Sequence, residues 1–89
     1  MLDLKDLRCF VSVYETGGFA RAAEALNTAQ SNVSVRVLRL EHSIGAPLFE
    51  RRHRSILATA KGDLLYRHAK RVFTELEDLE ASFKARQAG

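Results

Sequence analysis

The chain has 89 residues, of which 46% are hydrophobic and 28% are charged, so it forms one small globular domain rather than a disordered segment. Lys and Arg outnumber Asp and Glu by 14 to 11, and a net charge of +3 permits a nucleic-acid partner without requiring one. The single cysteine, Cys9, excludes an internal disulfide and a multi-cysteine zinc site. No apolar run approaches the roughly 20 residues that span a bilayer, and the acidic N-terminus does not resemble a signal peptide, so we expect a cytoplasmic protein without membrane contact.

Two helices are predicted in the first 26 residues. The first, over residues 3–16, has apolar side chains at the spacing of one helical face, at Leu7, Phe10, Val11 and Tyr14. Asp3 is its expected N-cap, and Asp6 stands three residues on, at the capping-box position. The second helix, over residues 19–26, is alanine-rich, and the small side chains of Ala22 and Ala23 allow another helix to approach closely.

A third helix is predicted over residues 30–44, after a tight polar turn at residues 27–29. Its buried stripe is Val33, Val37, Leu40 and Ile44, and the opposite side presents Ser31, Val35, Leu38 and His42. Two short helices joined by a tight turn, the second with a polar outer face, indicate a helix-turn-helix. The outer face of the helix over residues 30–44 is then free to enter the major groove of DNA, which is about 12 Å wide.

The candidate DNA contacts lie on the outer side of this third helix. Amide and hydroxyl side chains suit base edges or phosphates, a valine suits a thymine methyl, and the arginines add positive charge. These candidates are Gln30, Ser31, Asn32, Ser34, Val35, Arg36 and Arg39. On spacing alone, solvation of a helix terminus explains the polar residues equally well.

A basic hairpin is predicted after Pro47, the only proline. Residues 48–51 and 56–59 indicate two short strands joined by a charged loop at residues 52–55. The next candidate DNA contacts are Arg51, at the end of the first strand, and Arg52 and Arg54 in the loop. Held beside a helix-turn-helix, residues 51–55 become a wing that reaches phosphates or a narrow minor groove. The alternative is a solvated loop whose charges pair with Glu50 or Glu41.

The longest predicted helix covers residues 60–87, with Thr59 as its N-cap. Apolar residues spaced by four and three form a heptad seam of Leu65, Ala69, Val72, Leu76, Leu79 and Phe83. A helix of this length extends about 40 Å, more than the head can cover, so we expect part of the seam to need another chain. This divides the chain into a head at residues 1–58 and a linker and dimerisation helix at residues 59–89.

The ordered set of motifs resembles the N-terminal DNA-binding region of LysR-type transcriptional regulators, over residues 3–87. The matching residues are Leu7, Phe10, Gly18-Phe19, Ala22-Ala23, Leu26, Gln30, Val33-Ser34, Leu40-Glu41, Gly45, Leu48-Phe49, Arg51, Arg54, Thr59 and Gly62.

This resemblance implies a mostly α fold, a winged helix-turn-helix of three helices and a two-stranded wing followed by a long linker helix. It also implies a homodimer with antiparallel linker helices that binds interrupted palindromes in bacterial promoters, and dimers of dimers in the full-length form. It places residues 30–44 in the major groove and Arg54 in the minor groove. Arg51 corresponds to the arginine of the family's Leu-Phe-x-Arg motif.

Three residues depart from the family pattern. Ala29 has no oxygen to cap the third helix, so a cap would come from Thr28 or water. Val35 stands where arginine is frequent, and Lys61 stands where alanine is usual. Family members also carry a C-terminal effector domain, for which this length leaves no room, so we expect a DNA-binding portion with no cofactor.

Other function classes have less support. The histidines lie on separate predicted elements, Cys9 is expected to be a buried thiol, and no phosphate-binding loop or nucleophile motif occurs, so we expect neither a metal site nor an enzyme. A protein-interaction module that uses its heptad helix on a different partner is the main competing function. A membrane-surface helix is disfavoured because residues 60–87 mix acids and bases about equally.

Overall fold

The computed structural model describes residues 2–88, with side chains through Lys84. In chain order its elements are α1 (Leu4–Thr16), α2 (Phe19–Ala25), α3 (Gln30–Ile44), β1 (Phe49–Arg52), β2 (Ser55–Ala58) and α4 (Ala60–Ala88). The four predicted helices are confirmed to within one residue at each end, and both strands lie within one residue of their predicted positions. None of the helices in the described part is long and apolar enough to cross a bilayer.

The ends of α1 follow from its flanking residues. Asp3 caps the helix, because its Oδ1 accepts hydrogen bonds from the amides of Lys5 and Asp6 at 2.7 and 3.2 Å. Gly17 ends it in the left-handed conformation, with φ of 83°. The expected capping-box role of Asp6 is wrong: its side chain is buried and points towards α3, where an arginine pairs with it.

The core of the head lies between α1, α2 and α3. The largest fully buried side chains are Phe10, Val13, Val33, Val37, Leu40 and Leu48. Ala22 and Ala23 are buried as well, which lets α2 lie close to its neighbours, as predicted. Cys9 is also buried, and that burial raises the pKa of its thiol, so it stays protonated and unreactive.

The wing depends on the helices for its stability. Strands β1 and β2 pair antiparallel, with Phe49 opposite Ala58 and Arg52 opposite Ser55. Two strands alone are marginal in water, so the hairpin needs an anchor. Phe49 supplies it, because its ring is buried 5.3 Å from the ring centre of Phe10 and 6.0 Å from that of Phe19.

The start of α4 is fixed to the segment before the wing. Thr59 caps the helix, as predicted: its hydroxyl accepts from the Gly62 amide at 3.0 Å and donates to the Pro47 carbonyl at 2.8 Å. A Cβ atom on Gly62 would overlap the carbonyl oxygen of Leu48. Glycine is therefore required here by close backbone approach and not by an unusual backbone angle.

Five side chains join α4 to α1, and we call them the tyrosine junction: Tyr14, Glu15, Asp63, Tyr66 and Lys70. The two tyrosine rings stack 3.8 Å apart and 6° from parallel. Tyr14 donates to Asp63 at 2.9 Å, and Tyr66 donates to Glu15 at 2.6 Å. Lys70 binds the same Glu15 oxygen at 3.1 Å. The direction in which α4 leaves the head is therefore set by stacking and three hydrogen-bonded contacts.

The first half of α4 packs on the head, past the predicted boundary at residue 58. Ala69 has no exposed surface, so its predicted place in the dimer seam is wrong: its side chain fills space within its own protomer. Leu65 and Phe73 are partly buried against the same core, and the Arg8 guanidinium lies 4.5 Å above the Phe73 ring. Among the predicted seam residues, the exposed ones therefore begin at Val72.

The tyrosine junction predicts a loss of stability at alkaline pH. The hydrogen bond to Glu15, with a smaller contribution from burial, raises the pKa of Tyr66 from 10.0 to about 12. A raised folded-state pKa stabilises the fold fully below the unfolded value, and that stabilisation disappears as the pH rises from 10 towards about 12. We expect denaturant titrations to show a smaller loss of stability over this interval in Tyr66→Phe than in the wild type.

Tyr14→Phe is the matched control, because it keeps the bond between Tyr66 and Glu15. Titration of the phenolate absorbance of folded Tyr14→Phe isolates the signal of Tyr66. Release of the Tyr66 proton at the ordinary pKa of a tyrosine would contradict the prediction.

Candidate nucleic-acid interface

Helix α3 exposes the polar residues at its N-terminal end. Val33, Val37 and Leu40 are buried against the head and hold the helix in one orientation. The side chains that this leaves outside are the recognition face, which we define as Gln30, Ser31, Asn32, Ser34, Val35 and Leu38. All of these are exposed except Ser34, which is half-buried. The predicted contacts Gln30, Ser31, Asn32, Ser34 and Val35 thus lie together on one accessible surface.

The first turn of α3 has no side-chain cap. Ala29 occupies the N-cap position. The Thr28 hydroxyl accepts a hydrogen bond from the side-chain Nδ2 of Asn32 at 3.0 Å and does not cap the backbone. Within the described residues no side chain satisfies the first amides of this 15-residue helix. These amides and the positive end of the helix dipole favour an anion such as a phosphate.

A buried carboxylate holds the two arginines of α3. Asp6 has only 2% of its surface exposed; its Oδ1 lies 3.1 Å from Arg36 Nη1, and its Oδ2 lies 3.7 Å from Arg39 Nε. The Arg36 side chain is 31% exposed and that of Arg39 is 56% exposed. Arg36, predicted as a DNA contact, thus has its guanidinium bound to Asp6 of α1. Arg39 keeps enough exposure for a phosphate.

The three wing arginines have different surroundings. Arg51 lies 4.8 Å above the Phe19 ring, which fixes its guanidinium by a cation–π contact. Arg52 pairs with Glu50 at 3.2 Å, and both side chains are exposed. Arg54 stands in the turn at the tip, and among the described residues it makes no hydrogen bond or ion pair. The predicted charge pair with Glu50 therefore engages only one of the three.

The wing also borders an open cleft. A cleft of about 330 Å³ lies between the turn at Gly17 and Gly18 and wing residues 51–56. Its wing side carries the positive charges of Arg51, Arg52 and Arg54. Because the two glycines bring backbone rather than side chains to the opposite side, the cleft has room for an extended anionic chain at close range.

Helix α4 has uncovered apolar side chains from Val72 onward. Val72, Leu79 and Phe83 are exposed large hydrophobic residues, and Leu76 is half-buried. A groove of about 500 Å³ runs along Val72, Leu76 and Leu79. Of the six residues predicted for the seam, these four lie where a second chain can reach them.

Sequence reasoning missed three features of this surface. Leu38 was placed on the outer stripe by helical periodicity but was not assigned a contact, so its signal was present in the sequence. The sequence places Asp6 at a local capping position, and only the packing of α1 on α3 reveals its partners, Arg36 and Arg39. The stacking of Tyr14 on Tyr66 joins residues far apart in the chain and has no local signal.

Comparison with known proteins identifies the domain. The family model described as a bacterial regulatory helix-turn-helix protein of the lysR family matches residues 4–63. The chain belongs to the LysR family of transcription regulators. It is 40% identical over 84 residues to the regulator CfxR of Cupriavidus necator, which covers 94% of this chain and 26% of that protein. It is 47% identical over 70 residues to the activator AllS of Klebsiella pneumoniae, and this match covers 79% of this chain and 26% of AllS.

Solved structures confirm the predicted winged helix-turn-helix with a linker helix. The BenM DNA-binding domain, in complex with catB site 1 DNA, superposes with a TM-score of 0.93 at 31% identity, covering 98% of this chain and 97% of that one. The CbnR DNA-binding domain, solved in a complex with DNA, superposes with a TM-score of 0.84 at 31% identity. The match covers 98% of this chain and 99% of the CbnR chain. Full-length OxyR from Pseudomonas aeruginosa superposes with a TM-score of 0.88 at 28% identity, and the match covers 96% of this chain and 29% of the OxyR chain. The chain spans about a quarter of the length of the curated LysR relatives that it matches.

We expect the ion pair between Asp6 and Arg36 to give a measurable coupling in the free energy of unfolding. Asp6→Ala leaves Arg36 without its buried partner, and we expect the free energy of unfolding to fall by about 1–3 kcal/mol. Because Arg36 is partly solvated, screening keeps this below the cost of breaking a fully buried pair. Urea denaturation of Asp6→Ala, Arg36→Ala and the double variant measures the coupling.

Arg39→Ala serves as the control, since the longer and more exposed contact should couple more weakly to Asp6. Strict additivity of Asp6→Ala and Arg36→Ala would show that the pair does not stabilise the orientation of α3.

Proposed function

We propose that this LysR-type domain binds double-stranded promoter DNA in a sequence-specific manner, as the dimeric DNA-binding part of a regulator that works on the nucleoid in the bacterial cytoplasm. The observation that carries the proposal is the uncapped, polar N-terminal end of α3, presented by a packed core beside an arginine-bearing wing. The similarity to the BenM and CbnR domains, both solved in DNA complexes, supports it.

In this proposal α3, residues 30–44, enters the major groove. Gln30 and Asn32 carry amides that suit adenine edges, and Ser31 and Ser34 suit either bases or phosphates. The open amides of the first turn bind a phosphate and fix the register of the helix on the duplex. Arg39 contacts the backbone, and Arg36 remains with Asp6 as a residue that positions the helix.

The wing, residues 51–55, lies against the minor groove or the backbone. Arg54 is the residue proposed to enter the minor groove, because it stands at the tip and has no partner among the described side chains. Arg51 and Arg52 are proposed to contact phosphates. The stacking of Arg51 on Phe19 orients its charge before DNA arrives, which lowers the entropy lost on binding.

The uncovered apolar side chains of α4 support a homodimer. We propose that Val72, Leu76, Leu79 and Phe83 pair with the same residues of an antiparallel copy, while Leu65 and Ala69 stay with their own head. The tyrosine junction fixes each head to its linker helix, so the two recognition helices meet an interrupted palindrome at a set spacing. In a full-length protein, two such dimers would assemble on one promoter.

Loss of the wing-tip arginine should weaken DNA binding. We expect Arg54→Ala to reduce affinity by about 1–3 kcal/mol in gel-shift titrations, on duplexes selected from a random pool and at fixed salt concentration. Lys84→Ala removes one positive charge at the far end of α4 and is the control for net charge. Equal affinities of Arg54→Ala and the wild type would reject the minor-groove role, and absence of any selected duplex would reject the DNA-binding proposal.

A charge in the exposed seam should separate the protomers. Leu79 and Leu4 have nearly equal exposure, 50% and 49%, but only Leu79 lies on the seam. Analytical ultracentrifugation should show a dimer for the wild type and Leu4→Glu, and a monomer for Leu79→Glu. A wild-type monomer at micromolar concentrations would overturn self-association and favour a different partner for this helix.

A further inference from the structure

We infer that Val35 and Leu38 form an apolar contact that recognises the 5-methyl groups of thymines in two neighbouring base pairs. The inference rests on the proposed function and specifies which DNA the recognition face selects. Within that face these are the two apolar side chains, and both are 55% exposed, more than any other large hydrophobic residue described except Phe83. They lie at the centre of the outer stripe, between Ser31 and His42, and not at its edge.

The spacing of the two residues matches that of stacked base pairs. Positions three apart on a helix share a face and differ by about 4.5 Å along its axis. Successive base pairs are separated by about 3.4 Å. A helix lying in the major groove can therefore bring Val35 to one base pair and Leu38 to an adjacent one.

The surroundings of the pair favour a base edge over other occupants. Val35 and Leu38 line a depression of about 180 Å³ with Phe19 and Arg51. This is smaller than the roughly 300–1,000 Å³ typical of small-molecule sites. Its apolar wall ends at Arg51, whose cation attracts a phosphate, so the depression presents a methyl-binding surface next to an anion-binding group. An apolar peptide would satisfy only the first of these.

The acidic residue at the same depression does not oppose DNA. Glu41 lines it too, but one of its carboxylate oxygens accepts a hydrogen bond from the backbone amide of Leu48 at 2.7 Å. This carboxylate oxygen therefore faces the segment before the wing. The charge on the open side comes from Arg51.

Thymine is the base that presents a methyl group in the major groove of unmodified DNA. Moving one methyl-sized apolar group from water to an apolar contact corresponds to about a fourfold gain in affinity. Neither Val35 nor Leu38 can form a hydrogen bond through its side chain, so the pair discriminates thymine from cytosine by that methyl alone.

The test removes the methyl groups from the DNA and leaves the wild-type fold untouched. In a duplex selected from a random pool, each thymine of a half-site is replaced singly by deoxyuridine, which keeps the base pairing and lacks the methyl. We expect two neighbouring positions at which the affinity of the wild type falls about fourfold. Val35→Ala should abolish the loss at one of them and Leu38→Ala the loss at the other. Leu4→Ala, an equally exposed site away from α3, should retain both.

The outcomes separate this inference from the proposal beneath it. Tight, sequence-selective binding with no effect of deoxyuridine would overturn the methyl contact and leave DNA binding intact. A deoxyuridine effect that persists in both Val35→Ala and Leu38→Ala would also overturn it, because another group would then contact the methyl. Failure to select any duplex would overturn both. Restoration of affinity by 5-methylcytosine at the same two positions, in place of cytosine, would support it further.

Discussion

The burial of one face of α3 is the constraint on which the rest of the structure depends. Val33, Val37 and Leu40 are almost completely buried, so the helix cannot rotate without exposing them to water. Asp6 adds a polar restraint from α1 by holding Arg36 on the side of the helix. Once this face is fixed, the opposite face and the first turn must point outward. A small head of three helices thereby presents a rigid and accessible edge, which is what recognition of a base sequence requires.

Helix α4 has two roles: it packs on the head, and in the proposed function it pairs with a second copy. It contacts the head core at Ala69 and Phe73, and it leaves Val72 and Leu79 exposed. The tyrosine junction connects the two roles, because it fixes the direction of the helix at the point where the head ends. In the proposed dimer, rigid attachment would hold the two heads at one spacing on a duplex, whereas a loose joint would allow many spacings and reduce selectivity.

The charge on the molecule is arranged more finely than its net value of +3 suggests. Of the arginines considered for DNA contact, Arg36 is held by Asp6 and Arg52 pairs with Glu50, while Arg54 extends from the wing tip. In the proposed complex, the wing and Arg39 would supply the nonspecific attraction to phosphates. The recognition face combines polar side chains with an apolar pair, a composition suited to distinguishing bases by both hydrogen bonds and methyl groups.

Local sequence patterns were enough to predict the helices and strands, because short-range rules specify them. Helical periodicity located α1, α3 and α4, Gly17 and Thr59 marked helix ends, and the basic run after Pro47 identified the wing. The ordered motifs also determined the family. The outward direction of the α3 residues followed from the same periodicity, since a buried stripe defines the exposed one.

Only the tertiary structure decided which of those residues are occupied elsewhere. Ala69 belongs to its own head and not to a seam, Arg36 is held by a carboxylate 30 positions away, and Asp6 leaves its helix cap for that pair. The stacking of Tyr14 on Tyr66 is likewise invisible to local pattern. Each of these contacts joins elements that are distant in the chain, and their geometry is set by how the helices pack rather than by the spacing of residues within any one helix.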